Sequence, residues 1–135
     1  MKWHKFLLIV FLLAYLTMWV GGLSSHIFMD GPPVDMPWTA PLFLFLAGGI
    51  VIIAAGKDQR FPLLLVGLLG FSAEVIGVHS GMIFGSYEYT DALSPQVFDV
   101  PLVMVPAWLV LVAYVWQMLA RLVYARWKRV VLAGF

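Results

Sequence analysis

Cysteine is absent from the 135 residues, which excludes a disulfide framework, a thiolate metal site and a cysteine nucleophile. Charge is scarce: 11% of residues are Asp, Glu, Lys or Arg, against about a quarter in soluble domains. Eight basic and seven acidic residues leave a net charge of +1, so there is no basic excess to hold nucleic acid. Internal repeats and low-complexity tracts are missing. Disorder, which needs low hydrophobicity and high charge, is excluded. What fills the chain is apolar: 63% of residues are hydrophobic and the mean hydropathy is +0.97. A core of this size cannot hide that much apolar surface, so lipid is expected to cover the rest of one integral membrane domain, residues 1–135.

Four apolar runs stand out: Phe6–Phe28, Trp38–Gly56, Phe61–Phe84 and Pro101–Tyr124. Each approaches the roughly 20 residues with which a helix crosses ~30 Å of hydrocarbon. They are continuous rather than alternating, which argues against a β-barrel. The fold class expected is all-α, a polytopic bundle of four transmembrane helices. Every basic residue flanks the first run (Lys2, Lys5), lies between the second and third (Lys57, Arg60), or ends and follows the fourth (Arg121, Arg126, Lys128, Arg129). The positive-inside rule then puts both termini in the cytoplasm. The first run is too long for a signal-peptide core, and cleaving it would leave an odd number of spans. The link Asp30–Pro37 is a Pro-rich turn. The shorter link Gly56–Arg60 predicts that helices two and three are antiparallel neighbours. Only Gly85–Val100 is long enough to be more than a connector. Val130–Phe135 reads as the opening of a fifth span, so the sequence is expected to be part of a longer protein.

Glu74 is the one ionisable residue deep within a run, roughly 15 Å inside the expected outer end of helix three. An acid there faces a bundle interior or a cavity. Gly67, Gly70, Glu74, Gly77 and Gly81 share a face, and the glycines mark it as a close packing face. Two roles stay open for Glu74: a carboxyl hydrogen-bonded to a neighbouring helix, or a desolvated acid that holds a proton and delivers it inside the membrane. His79 lies roughly 140° around the helix from it. His79 and His26 read as interfacial histidines bonded to loop carbonyls. They lack the spacing of a metal site. The stretch Phe84–Asp91 crowds two tyrosines and two acids at the membrane surface, beyond what an aromatic belt explains. Pro101 suits the start of helix four, and Pro106 one turn inside is expected to kink it. Gln117 reads as a helix–helix hydrogen bond.

Glu74, Gly77, Val78-His79-Ser80-Gly81, Phe84-Gly85, Tyr87-Glu88-Tyr89-Thr90-Asp91, Leu93 and Pro95, followed by Val100-Pro101 and Pro106-Ala107-Trp108, resemble the signature of the carotenoid biosynthesis membrane proteins. That family includes the CruF-type carotenoid hydratases and the bisanhydrobacterioruberin hydratases. Ser94 and Asp99 depart from it, standing where glycines are expected. The resemblance covers the N-terminal part of the family's length. It implies a lyase that adds water across the terminal isoprenoid double bond of an acyclic carotene. Catalytic candidates are then Glu74, His79, Glu88 and Asp91. The aromatic candidates for substrate binding are Phe84, Tyr87, Tyr89 and Trp108. No cofactor and no metal are implied. The partners are membrane lipid and a carotenoid or other long isoprenoid, with a second copy or a missing C-terminal half completing the bundle. The setting is expected to be a prokaryotic cell membrane. Two other readings compete: a non-catalytic membrane subunit or carotenoid-binding module, and a proton-coupled transporter resting on Glu74 alone.

The topology has a direct test. Single cysteines at Asp35 and Asp91 are expected to react with an impermeant thiol reagent in intact cells, and one at Gln59 only after lysis. The reverse pattern would invert the orientation.

Overall fold

The computed structural model describes residues 2–29, 31, 36–82 and 85–133, with side chains through residue 122 except those of Lys2 and Ala92. Four helices dominate: α1 (Lys2–Phe28), α2 (Thr39–Ala54), α3 (Lys57–Ser80) and α4 (Met104–Ala133). The expected all-helical membrane fold is therefore present. α1, α3 and α4 are long and apolar enough to cross a membrane. α2, with 16 residues, is shorter and also apolar, about 24 Å at 1.5 Å per residue. Between α3 and α4 lie a 3₁₀ turn (Asp91–Leu93) and a small antiparallel ribbon, β1 (Gln96–Val97) and β2 (Val100–Pro101), paired Gln96 to Pro101 and Val97 to Val100.

Local chemistry sets helix ends that hydropathy misses. α3 starts at Lys57, where the Gln59 side chain accepts the Gly56 N–H at 3.3 Å. It stops at Ser80 because Gly81 turns left-handed at φ 64° and sends its N–H to the Gly77 carbonyl. Glu74 thus lies roughly 9 Å from the helix end, not 15 Å. Arg60 closes the other side of that short link, donating to the carbonyls of Ile53 (3.2 Å) and Ala55 (3.3 Å) at the C-terminus of α2. α4 starts at Met104, because Val100 and Pro101 belong to β2. Pro106 therefore sits in the first turn, where its missing N–H breaks no helical bond. The cause of the expected kink disappears.

The helices are ordered α1–α2–α4–α3. α2 and α3 touch little despite their short link, which corrects the expectation that they are close neighbours. The start of α4 takes the place between them, because glycines on both sides admit it. A Cβ on Gly48 of α2 would lie 2.6 Å from the Pro106 Cβ. One on Gly67 of α3 would lie 2.8 Å from the Val105 carbonyl oxygen. Val100, Val103, Leu109 and Ala113, all on α4 or its lead-in, form the buried apolar core. The glycine face read from the sequence is thus a packing face at Gly67 and Gly70, and Gly77 is buried as well. α1 joins through Tyr15, stacked on Phe43 at 4.3 Å, and Phe11, which fills the space beside Gly49. Polar side chains on the apolar helices bond back to their own turns, as Thr17 to the Leu13 carbonyl and Ser72 to that of Leu68.

Two glycine substitutions separate packing from helix propensity. Gly67→Ala pushes against backbone and is expected to cost about 1–3 kcal/mol. Gly22→Ala, with nothing within 4 Å of the new methyl, is expected to be neutral or to stabilise by up to about 1 kcal/mol. Thermal unfolding in detergent checks the pair, and equal midpoints would contradict the tight contact.

Candidate functional site

Glu74 is 9% exposed and is the one buried charged or polar residue among the described side chains. Gly70, one turn earlier on the same face, makes room for a ring from α4: a Cβ there would lie 2.3 Å from the Cγ of Trp108. The indole settles in that gap and its Nε1–H donates to Glu74 Oε1 at 3.0 Å. From the linking segment, the Tyr87 and Tyr89 hydroxyls both donate to Oε2, at 2.5 Å and 2.9 Å. Tyr87 also reaches the Glu74 backbone carbonyl at 3.4 Å. The two phenol rings meet edge to face, 5.5 Å apart. Two residues apart in the segment after α3, both phenols reach the same carboxyl oxygen. Glu88 between them is exposed.

The segment carrying the tyrosines is held by its own bonds. Gly81 and Gly85, at φ 64° and 82°, turn the chain back after α3. The Gln96 amide donates to the Thr90 carbonyl at 2.8 Å, the Ser94 hydroxyl to Asp91 at 2.9 Å, and the Leu102 N–H to Pro95 at 3.0 Å. Val100 and Pro101 are buried, and β2 rests on α3. Phe98 and Asp99 form the two-residue tip of the ribbon at φ 53° and 59°, the left-handed backbone that such tight hairpins require. Asp99 is one of the positions where the resemblance leads one to expect glycine. The backbone explains why glycine suits it.

The phenols remain protonated donors at neutral pH. Tyr87 is pushed up to about 12, first by desolvation and then by its hydrogen bond and electrostatic interaction with Glu74. Tyr89 is pushed up first by desolvation, then by its hydrogen bond to and electrostatic interaction with Glu74, and further by its neighbour Tyr87. A carboxyl with three donors, buried between two helices and a folded-back segment, can accept, hold or pass on a proton while its oxygens stay fixed in place.

A family model described as carotenoid biosynthesis protein matches residues 36–134. The chain belongs to the carotenoid biosynthesis protein family. This bears out the resemblance read from the sequence. The match runs from the link before α2 to the end of α4 and so contains the whole Glu74 cluster. No curated protein and no solved structure matches the chain.

In this family member, three of the aromatic candidates, Tyr87, Tyr89 and Trp108, converge on Glu74 through their polar ends. Phe84 lies outside the described residues. His79 is occupied elsewhere: Nδ1 donates to the Val75 carbonyl at 2.9 Å, and Nε2 lies 3.5 Å from Asp99 Oδ2, with both side chains exposed. His26 likewise bonds to a carbonyl of its own helix, that of Gly22 at 3.1 Å, and among the described residues no loop carbonyl takes its place. Glu88 and Asp91 are exposed and do not join the cluster. Among the described residues, no three His, Asp or Glu side chains come together as a metal site needs. Asp99, as the partner of His79, went unnoticed in the sequence, where no local spacing links the two.

Proposed function

We propose that this member of the carotenoid biosynthesis family is a hydratase that adds water across the terminal isoprenoid double bond of an acyclic carotene, with Glu74 as the acid. The observation that carries the reading is the buried Glu74 carboxyl, fixed by Tyr87, Tyr89 and Trp108 within the region the family model matches. The carotene reaches the cluster from lipid. Glu74 gives its proton to the less substituted alkene carbon, a C–H bond forms, and a tertiary carbocation remains. Water captures it by forming the C–O bond, and the resulting oxonium loses a proton. Low polarity around the acid favours a transfer that bulk water would quench. The aromatic faces of Tyr87, Tyr89 and Trp108 can stabilise the cation beside them. The exposed His79, Glu88 and Asp91 lie towards the aqueous end of the helices, where a departing proton is taken up. Hydration transfers no electrons and no phosphate, so the chemistry calls for no cofactor.

A second reading keeps carotenoid binding without catalysis. All three groups on Glu74 come from the chain itself, so the carboxyl serves equally as a structural tie. Glu74→Gln separates the two. The amide oxygen can accept from Trp108, and the amide N–H₂ can donate to phenol oxygens that rotate to receive it. The fold is therefore expected to survive while the acid is lost. In cells accumulating an acyclic carotene, the wild-type chain is expected to yield a pigment heavier by one water. The Gln variant, at equal membrane yield, is expected to lose it by on the order of 100-fold or more. Unchanged product from Glu74→Gln would leave Glu74 a structural residue.

A further inference from the structure

We propose that Tyr87 is the residue through which protons reach and leave Glu74. The inference rests on the acid role given to Glu74 above and adds a positioning and relay residue to it. Glu74 is 9% exposed, and among the described residues its carboxyl meets three polar side chains, Tyr87, Tyr89 and Trp108, through which a proton it gives up can be replaced. Trp108 is excluded, because an indole N–H donates and has no lone pair with which to receive a proton. The choice lies between two phenols on the same oxygen.

Their geometry differs. Tyr89 holds Oε2 at 2.9 Å, an ordinary hydroxyl-to-carboxyl distance. Tyr87 holds it at 2.5 Å, the short end of the range for charge-assisted bonds. Tyr87 also has a second acceptor within reach, the Glu74 carbonyl at 3.4 Å. That second acceptor allows a switch. When Oε2 carries a proton, the Tyr87 O–H turns to the carbonyl, and its oxygen accepts from Oε2. When Oε2 is bare, the O–H turns back and donates. Both protonation states of Glu74 are satisfied without moving a heavy atom. In the hydration cycle a proton equivalent to the one the oxonium gave up to the exposed groups arrives on the Tyr87 oxygen as the Tyr87 proton passes to Oε2. One O–H bond breaks and one forms at Tyr87, and Glu74 regains what it gave to the alkene. The high proton affinity of the phenol keeps it from resting as phenolate, so the two movements are coupled. Neighbouring Ser86 and Glu88 are exposed polar residues, so Tyr87 stands beside groups that can pass a proton to it.

Infrared spectroscopy of the purified chain in lipid tests this without substrate. The Glu74 carboxyl band is identified by its loss in Glu74→Gln. Deuterium exchange times the proton if Glu74 rests protonated, and a jump to acid times it if Glu74 rests ionised. Tyr87→Phe is expected to slow the transfer by at least on the order of 10-fold, and Tyr89→Phe to leave it near wild type. Equal rates in wild type and Tyr87→Phe, or equal slowing in both Phe variants, would overturn the relay. If Tyr87→Phe fails to fold, a fluorinated tyrosine at position 87 keeps both bonds and changes the phenol's acidity. A transfer rate that ignores fluorination would likewise overturn the relay. The two readings separate cleanly. A wild-type chain that makes no hydrated pigment yet shows the Tyr87-dependent transfer removes the hydratase reading and keeps the relay. Wild-type product levels from Tyr87→Phe keep the hydratase and remove the relay.

Discussion

A carboxyl group within an apolar helix must find its hydrogen-bond partners inside the protein, because hydrocarbon supplies none. Glu74 meets that constraint by drawing together parts of the chain that are far apart in sequence. Tyr87 and Tyr89 come from the segment after α3, and Trp108 comes from α4. Where the acceptor is removed, each donor left without water costs about 1–3 kcal/mol. The linking segment is tied down at one end by the Glu74 bonds and at the other by buried Val100 and Val103. The same interaction that organises the fold builds the candidate site.

Glycine makes that gathering possible. α4 enters between α2 and α3 because Gly48 and Gly67 present no side chains to Pro106 and Val105. One turn beyond Gly67, Gly70 gives the Trp108 ring the space from which it reaches Glu74. Small residues let helices approach closely in lipid, where burial of apolar surface drives little association. Packing therefore decides the helix order, and the length of the link between α2 and α3 does not.

Much of this was legible in the sequence, for a physical reason. Lipid forces the backbone into helices, so the apolar runs located α1 to α4, and the spacing of Gly67, Gly70 and Glu74 marked the face that packs. The ends were harder to read. The capping by Gln59 and Gly81 and the pairing of Val100–Pro101 into a ribbon are local turn chemistry that hydropathy ignores. The neighbour order was hidden because it depends on which residues meet Gly48 and Gly67 from outside their own helices. At the site, Glu74 and its aromatic companions were visible as residue types. The use of the tyrosines' polar ends required knowing that the segment after α3 folds back over Glu74. The separation of His79 from Glu74 was legible in the helical period, but its pairing with Asp99, 20 residues away in the chain, was not. The family resemblance supplied the carotenoid context, and the match over residues 36–134 supports it.

The central claim is that the Glu74 carboxyl holds the linking segment against α3 and α4. Hydrogen exchange across residues 85–103 measures it most directly, with wild type compared with Glu74→Ala. The account requires faster exchange in Glu74→Ala at the amides of the ribbon and at Leu102, whose N–H bonds to Pro95, with α1 and α2 unchanged. Identical protection of that segment in the two proteins would contradict it.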